Sequence, residues 1–292
     1  MHEPLRPVPR IKLAWKNPVR LVLVLKSAPG RPHVSQCLNE HRISRNAAET
    51  MSGLSDETNP WDEYASRYRE LIAEREREDP VANPVVSRML QLLGDLASRI
   101  VLDACCGEGF FSRILAARGA RVVGVDLSPR LIAMAREREA LESQADREAI
   151  DYRVADLSRP LPDLSERFDL LASHLALDDV RDHVGFARTL YSLGKPEARA
   201  VLSFNNPYSS VVRGHITDYF DSSALGTYGG LSSRGVKARY YHRTLEEYLD
   251  TFLAAGFRLR KIADVSPRQG DMLPKDARFP YGMILALDKG AK

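Results

Sequence analysis

No run of about 18 consecutive apolar residues occurs in the 292-residue chain, so no segment is long and apolar enough to cross a membrane as a helix. Cysteine is scarce. Of the three, Cys105 and Cys106 are neighbours and Cys37 stands far off. An adjacent pair is a poor disulfide candidate and no zinc-ligand spacing is present, so a disulfide scaffold is excluded and a reducing cytoplasm is the expected compartment. A strong charge of either sign is also missing: 42 basic and 39 acidic residues leave +3. Neither a glycine period nor a low-complexity tract appears. What remains, 44% hydrophobic and 28% charged, is the balance of an ordinary globular chain with a sizeable core.

The small net charge hides an asymmetry. Residues 1–50 hold nine Lys or Arg against three acids, a net +6, and six of the 17 prolines. The remaining residues hold 33 basic and 36 acidic, a net −3. The leader lacks a sustained period of 2 or 3.6 and reads as disordered. A transit peptide is one reading of it. A natural start at Met51 is favoured, because patterning begins abruptly there.

From Asn59-Pro60 a helical pattern runs over Trp61–Glu78, with Trp61, Tyr64, Tyr68, Leu71 and Ile72 at three- and four-residue steps. A second helix is expected over Pro84–Leu93. Strands then alternate with helices: strands over Ile100–Ala104, Arg121–Val125, Asp151–Ala155, Phe168–Ser173 and Ala198–Phe204, helices over Phe110–Arg118, Arg130–Glu142 and Val180–Leu193. Such alternation implies a parallel sheet with helices on both faces. Residues 205–241 break the pattern, being rich in Gly, Ser and Tyr with no long regular element. A helix over Thr244–Ala255 and strands over Phe257–Ile262 and Tyr281–Leu287 complete the chain. The expected organisation is the leader (1–50), a helical cap (51–95) and a core (96–292) with a lid-like insertion at 205–241.

The most informative stretch is Val101-Leu102-Asp103-Ala104-Cys105-Cys106-Gly107-Glu108-Gly109-Phe110-Phe111-Ser112. A buried strand enters a Gly-x-Gly turn and a helix opens directly behind it. Gly107 and Gly109 allow positive φ and close approach of the backbone to a ligand. Asp126 ends the next strand, where a carboxylate can accept hydrogen bonds from ribose hydroxyls. That order points to an adenosine-bearing cofactor. A nicotinamide site usually shows G-x-G-x-x-G, but Ser112 occupies the third glycine position. Asp103 would repel a pyrophosphate and suits an ammonium group, which favours S-adenosylmethionine.

On these residues the sequence resembles the class I S-adenosylmethionine-dependent methyltransferases, in their small-molecule, ubiquinone-pathway-like branch. Asp103–Gly109 resembles the first motif, with Cys105 in place of its first glycine. Gly-Val-Asp-Leu-Ser-Pro (124–129), Ala-Asp-Leu (155–157) and Phe-Asp-Leu-Leu-Ala-Ser-His-Leu-Ala-Leu (168–177) resemble the ribose, adenine and fourth-strand motifs. Tyr-His-Arg-Thr (241–244) and Ala-Ala-Gly-Phe (254–257) resemble the C-terminal segment. The resemblance implies a Rossmann-like α/β fold with a seven-stranded, mostly parallel sheet of order 3-2-1-4-5-7-6, its last strand antiparallel. It implies a cofactor shell of Asp103, Cys105, Gly107, Gly109, Phe110 and Asp126. Leu127, Asp156, Leu157 and Ser173 complete the shell, Asp156 receiving the adenine amino group. Tyr64 and Tyr68 on the cap helix would cover the site, and Arg67 is a weaker partner for the cofactor carboxylate.

For chemistry, His174 at the end of the fourth strand is the first candidate base, and His215 in the insertion a second. His242 reads as capping or packing and His183 as an exposed helix residue. A helix start explains Asp178-Asp179 as well as a divalent metal does, no further ligand lies at matched spacing, and no metal is expected. Asn205-Asn206-Pro207-Tyr208 resembles an amino-group methyltransferase motif but follows the fifth strand, so it reads as a loop entry. Five tyrosines and five glycines in 205–241 suggest a lid over an apolar or aromatic acceptor. The sequence thus predicts a cytoplasmic enzyme methylating a small molecule, O-methylation favoured over C- or N-methylation, without nucleic-acid or membrane partners. The alternatives are an RNA or protein methyltransferase and a non-catalytic cofactor-binding regulator.

Overall fold

The computed structural model describes residues 61, 62, 64, 65, 69, 70, 82–142, 148–164, 167–227, 239–266 and 280–290. The leader, Cys37, Arg67, Tyr68 and residues 228–238 of the insertion lie outside the described residues.

Local chemistry sets the element ends. Helix α1 (Pro84–Leu93) starts at Asn83, whose Oδ1 accepts the Val85 N–H at 2.9 Å, with Pro84 at the first helical position. It stops at Gly94, φ +80°. Strand β1 (Ile100–Ala104) leads through the glycine turn into α2 (Phe110–Ala116). β2 (Arg121–Asp126), α3 (Pro129–Glu142), β3 (Asp151–Val154) and β4 (Phe168–Ser173) follow. A 3-10 turn over Leu177–Asp179 then precedes α4 (His183–Leu193), so the helix expected from Val180 starts three residues later, capped by Asp182. β5 (Gly194–Asn205) begins earlier than its apolar run because Phe168 pairs with Gly194 ahead of a register shift.

The insertion contains the short helix α5 (Pro207–Val212) and a two-stranded ribbon of β6 (Leu225–Thr227) and β7 (Arg239–Tyr241). α6 (Leu245–Ala254) opens on a capping box between Thr244 and Glu247. β8 (Phe257–Val265) and β9 (Gly282–Lys289) close the chain.

The main sheet has the order β3-β2-β1-β4-β5-β9-β8. β9 runs antiparallel to both neighbours and the first five strands are parallel. With the small ribbon set aside, this is the order 3-2-1-4-5-7-6 that the family resemblance implies. Successive strand residues enter opposite layers, as a two-fold side-chain period requires when both faces are covered. Val101, Val122, Leu170, Val201 and Ile284 join α1, α2 and α3 in one core. Leu102, Val123, Leu171, Leu202 and Leu285 join α4 and α6 in the other. Fully buried Phe111, Phe186, Phe204 and Phe252 each contribute roughly 1.5–3 kcal/mol of transfer free energy. Strand order reverses between β1 and β4, and open parallel sheets bind ligands outside the carboxyl ends of their strands at that reversal.

Trp61, Asp62, Tyr64, Ala65, Arg69 and Glu70 are helical. Trp61 and Ala65 pack on Leu131 and Met134 of α3. Asp62 accepts hydrogen bonds from the Ser128 hydroxyl and the Arg130 N–H, and Arg69 pairs with Glu137. The cap helix is therefore seated on α3.

Candidate active site

At the reversal point the chain turns from β1 into α2. Cys105 has φ +58°, Gly107 +56° and Gly109 +85°. The left-handed backbone at Cys105 is the reason a glycine suits that position, and a β-carbon there costs about 1–2 kcal/mol. The turn is tied to β2: the Gly107 N–H donates to Asp126 Oδ2 at 2.8 Å and the Cys106 N–H to the Val125 carbonyl at 3.0 Å. Asp126 Oδ1 accepts the Ser128 N–H at 2.9 Å. The carboxylate expected to meet a ribose thus also pins the glycine turn. A β-carbon on Gly109 would lie 2.2 Å from the Tyr152 hydroxyl oxygen, so the room left by that glycine is filled by a side chain of β3.

Asp103 is fully buried. Its Oδ2 accepts the Ser112 hydroxyl at 2.6 Å, and its Oδ1 has no hydrogen-bond partner among the described residues. Burial pushes the carboxyl up to about 7; the Ser112 bond opposes this, and Asp126 and Glu108 add to it. Burial likewise raises Asp126, against the Ser128 and Gly107 N–H bonds. Cys105 is raised by burial and by the fields of Asp126, Asp179, Asp103 and Asp156, so its thiol stays protonated. Four carboxylates converging there favour a cationic ligand.

Asp156, after β3, holds a turn through the Ser158 N–H at 2.9 Å and hydroxyl at 2.6 Å. Burial raises its pKa, but those bonds and Arg159 hold it below the usual carboxylate range. Leu127 is 54% exposed beside Asp126, whereas Leu157 is buried in the core. Ser173 is buried, its hydroxyl without a partner among the described residues. Phe110 opens α2 and Tyr64 is half-buried on the cap helix.

His174 stacks on Phe111, centroids 5.2 Å apart at 20°, and lies 5.8 Å from Phe110. The next residue, Leu175, has φ +51°, and its N–H donates to Ser203 Oγ at 2.8 Å. The histidine is thereby fixed against the helix that follows the glycine turn. His215 is half-buried in the turn after α5. His183 is half-buried rather than exposed, and burial with Arg243 lowers its pKa. His242 packs as expected, its Nε2 2.8 Å from the Tyr219 carbonyl. Buried Asp178 accepts the Asn205 amide at 2.5 Å, which gives that carboxylate a structural partner. Among the described residues no group of three or more His, Cys, Asp or Glu is placed to hold a metal ion.

In the insertion, Asn206 caps α5 and its Nδ2 reaches the Pro280 carbonyl at 2.7 Å, so Asn205–Tyr208 is a strand end and helix start. Tyr208 stacks on Tyr219 at 4.7 Å and 7°. The Tyr219 hydroxyl accepts the Leu245 N–H at 2.9 Å. Sequence reasoning missed Asp62, Ser112, Tyr152 and Ser203. Only Ser112 carried a signal, by occupying the third glycine position.

Residues 102–202 match the family described as a methyltransferase domain. Over 120 residues the chain is 32% identical to malonyl-[acyl-carrier protein] O-methyltransferase of Hamiltonella defensa subsp. Acyrthosiphon pisum, covering 40% of this chain and 43% of that one. Over 124 residues it is 32% identical to ubiquinone biosynthesis O-methyltransferase of Pseudomonas paraeruginosa, covering 42% and 52%. The chain thus spans about half the length of these curated relatives. The crystal structure of a Mesorhizobium loti S-adenosylmethionine-dependent methyltransferase superposes with TM-score 0.52 at 25% identity, covering 70% of this chain and 96% of that one. Residues 102–202 are thus similar to a methyltransferase domain, and the fold is that of S-adenosylmethionine-dependent methyltransferases of known structure. S-Adenosylmethionine is the cofactor of that class, and the unpartnered Asp103 oxygen and surrounding acids fit a ligand bearing ammonium and sulfonium charges.

Proposed function

We propose that this protein transfers a methyl group from S-adenosylmethionine to an oxygen of a small-molecule acceptor. The observation that carries the reading is the Gly107 N–H bond to Asp126, which brings the glycine turn and the ribose-position acid together at the carboxyl ends of β1 and β2. When bound, the cofactor supplies an activated methyl, so the protein's main task is alignment. Asp126 accepts the ribose hydroxyls through its remaining lone pairs. Asp156 receives the adenine amino group, and Leu127 and Leu157 border the base. The backbone of Cys105, Gly107 and Gly109 follows the cofactor, with Asp103 behind the turn. Phe110 and Ser173 line the methionine end, and Tyr64 covers it from the cap helix. His174 accepts the proton of the acceptor hydroxyl or shapes its pocket; His215 is a secondary candidate from the insertion.

The two curated relatives bear O-methyltransferase names, which supports oxygen as the methylated atom. The tyrosine-bearing insertion supports an apolar or aromatic acceptor. The net −3 of residues 51–292 argues against nucleic acid. No described helix is long and apolar enough to cross a membrane. We assign the enzyme to the cytoplasm and the leader to a dispensable extension. Incubation with methyl-labelled cofactor and a panel of phenols, quinols, carboxylic acids and amines tests the reading. Label transfer to an oxygen acceptor is expected. Cofactor binding with no transfer across the panel would favour the non-catalytic regulator instead.

A further inference from the structure

We propose that a cationic ligand enters this crevice in exchange for the Asp103 proton, and that Ser112 is the positioning residue that sets the exchange. The proposal rests on the cofactor reading above and adds a proton to it. The Asp103 carboxyl is fully buried at the end of β1, with one oxygen held by Ser112 at 2.6 Å and the other without a partner among the described residues. The groups facing it are mostly negative or neutral. Asp126 bears on it from β2 and Glu108 from the turn. The Cys105 and Cys106 thiols and the Tyr152 hydroxyl of β3 feel its field in turn. On β4, Ala172 pairs with Asp103, Ser173 ends the strand, and His174, stacked on Phe111, follows it. Arg113 spends its guanidinium on Glu108, 3.1 Å from the carboxylate and 2.8 Å from the carbonyl.

An ionised Asp103 in that setting is buried, and the charges that bear on it most, Asp126 and Glu108, are acidic, so the proton is held to about pH 7. A ligand ammonium or sulfonium supplies the missing charge and lowers the pKa, and the proton leaves. The sign follows. Below pH 7 a cation must displace the proton and binds more weakly; at higher pH the carboxylate is already ionised and that cost disappears. Ser112 donates to the ionised form, which keeps the group near neutrality. A glycine at that position, as in G-x-G-x-x-G, has no hydroxyl to do so.

The test is calorimetric titration of the full chain with S-adenosylhomocysteine, whose ammonium stays largely protonated between pH 6.0 and 7.5. Affinity about eightfold weaker at pH 6.0 than at pH 7.5 is expected for a group titrating near 7. Proton release is expected when the heats are compared in buffers of different ionisation enthalpy. Ser112→Ala should move the steep part of the profile to higher pH, and Asp103→Asn should flatten it. Equal wild-type affinity at both pH values with no proton released would overturn the proposal. An unshifted profile in Ser112→Ala would overturn the role of Ser112, a readout that stands even if Asp103→Asn does not fold. Absence of S-adenosylhomocysteine binding at every pH would instead overturn the cofactor reading beneath it.

Discussion

At the glycine turn, Asp103, Gly107, Asp126 and Asp156 sit at or just beyond the carboxyl ends of adjacent parallel strands, and backbone N–H groups fix Asp126 and Asp156. In the insertion, Tyr208, Tyr219 and His242 hold one another through rings and a carbonyl, and connect to the sheet through the start of α6. The first arrangement follows from topology: once the strands pair, these residues have one place to go. The second depends on side-chain contacts between segments with no shared period. The cofactor class is accordingly readable from motif spacing and the acceptor is not.

The sharpest way to break the glycine-turn region is Gly109→Val. Positive φ and the overlap with Tyr152 act together, so destabilisation of about 4 kcal/mol or more is expected in urea unfolding. Asp126→Ala comes next. It leaves the Gly107 and Ser128 N–H groups without acceptors and should cost about 3 kcal/mol, while S-adenosylhomocysteine affinity in titration calorimetry falls at least tenfold. On the insertion side, Thr244→Ala removes the cap of α6 and should cost about 1 kcal/mol in thermal unfolding, with cofactor affinity unchanged. A matching loss of cofactor affinity would show that the two regions are not separate. Smallest is Cys105→Gly: relief of the left-handed strain outweighs the added chain entropy, for a gain of about 0.5 kcal/mol in chemical denaturation.

The layers were legible because both periods survive in the sequence, whereas the strand order was implied by the family resemblance. Val101 and Leu102 and their counterparts on neighbouring strands alternate between two cores, and glycines mark the element ends. Tyr152 beneath Gly109 was not legible, since the two lie on different strand units and meet only after β3 has paired with β2. The Asp62 contact with Ser128 spans 66 residues and the Ser203 bond to Leu175 spans 28. Neither has a periodic or compositional trace. His174 was singled out because the fourth strand ends there, but its stacking on Phe111, and so its orientation, is visible only in the structure.

The glycine turn at the β1–β4 reversal is the proposed S-adenosylmethionine site. Titration calorimetry of the full chain with S-adenosylhomocysteine and, in parallel, NADH tests it most directly. Saturable one-to-one binding of S-adenosylhomocysteine, with no heat from NADH, is the predicted result. Binding of NADH without S-adenosylhomocysteine would contradict the account.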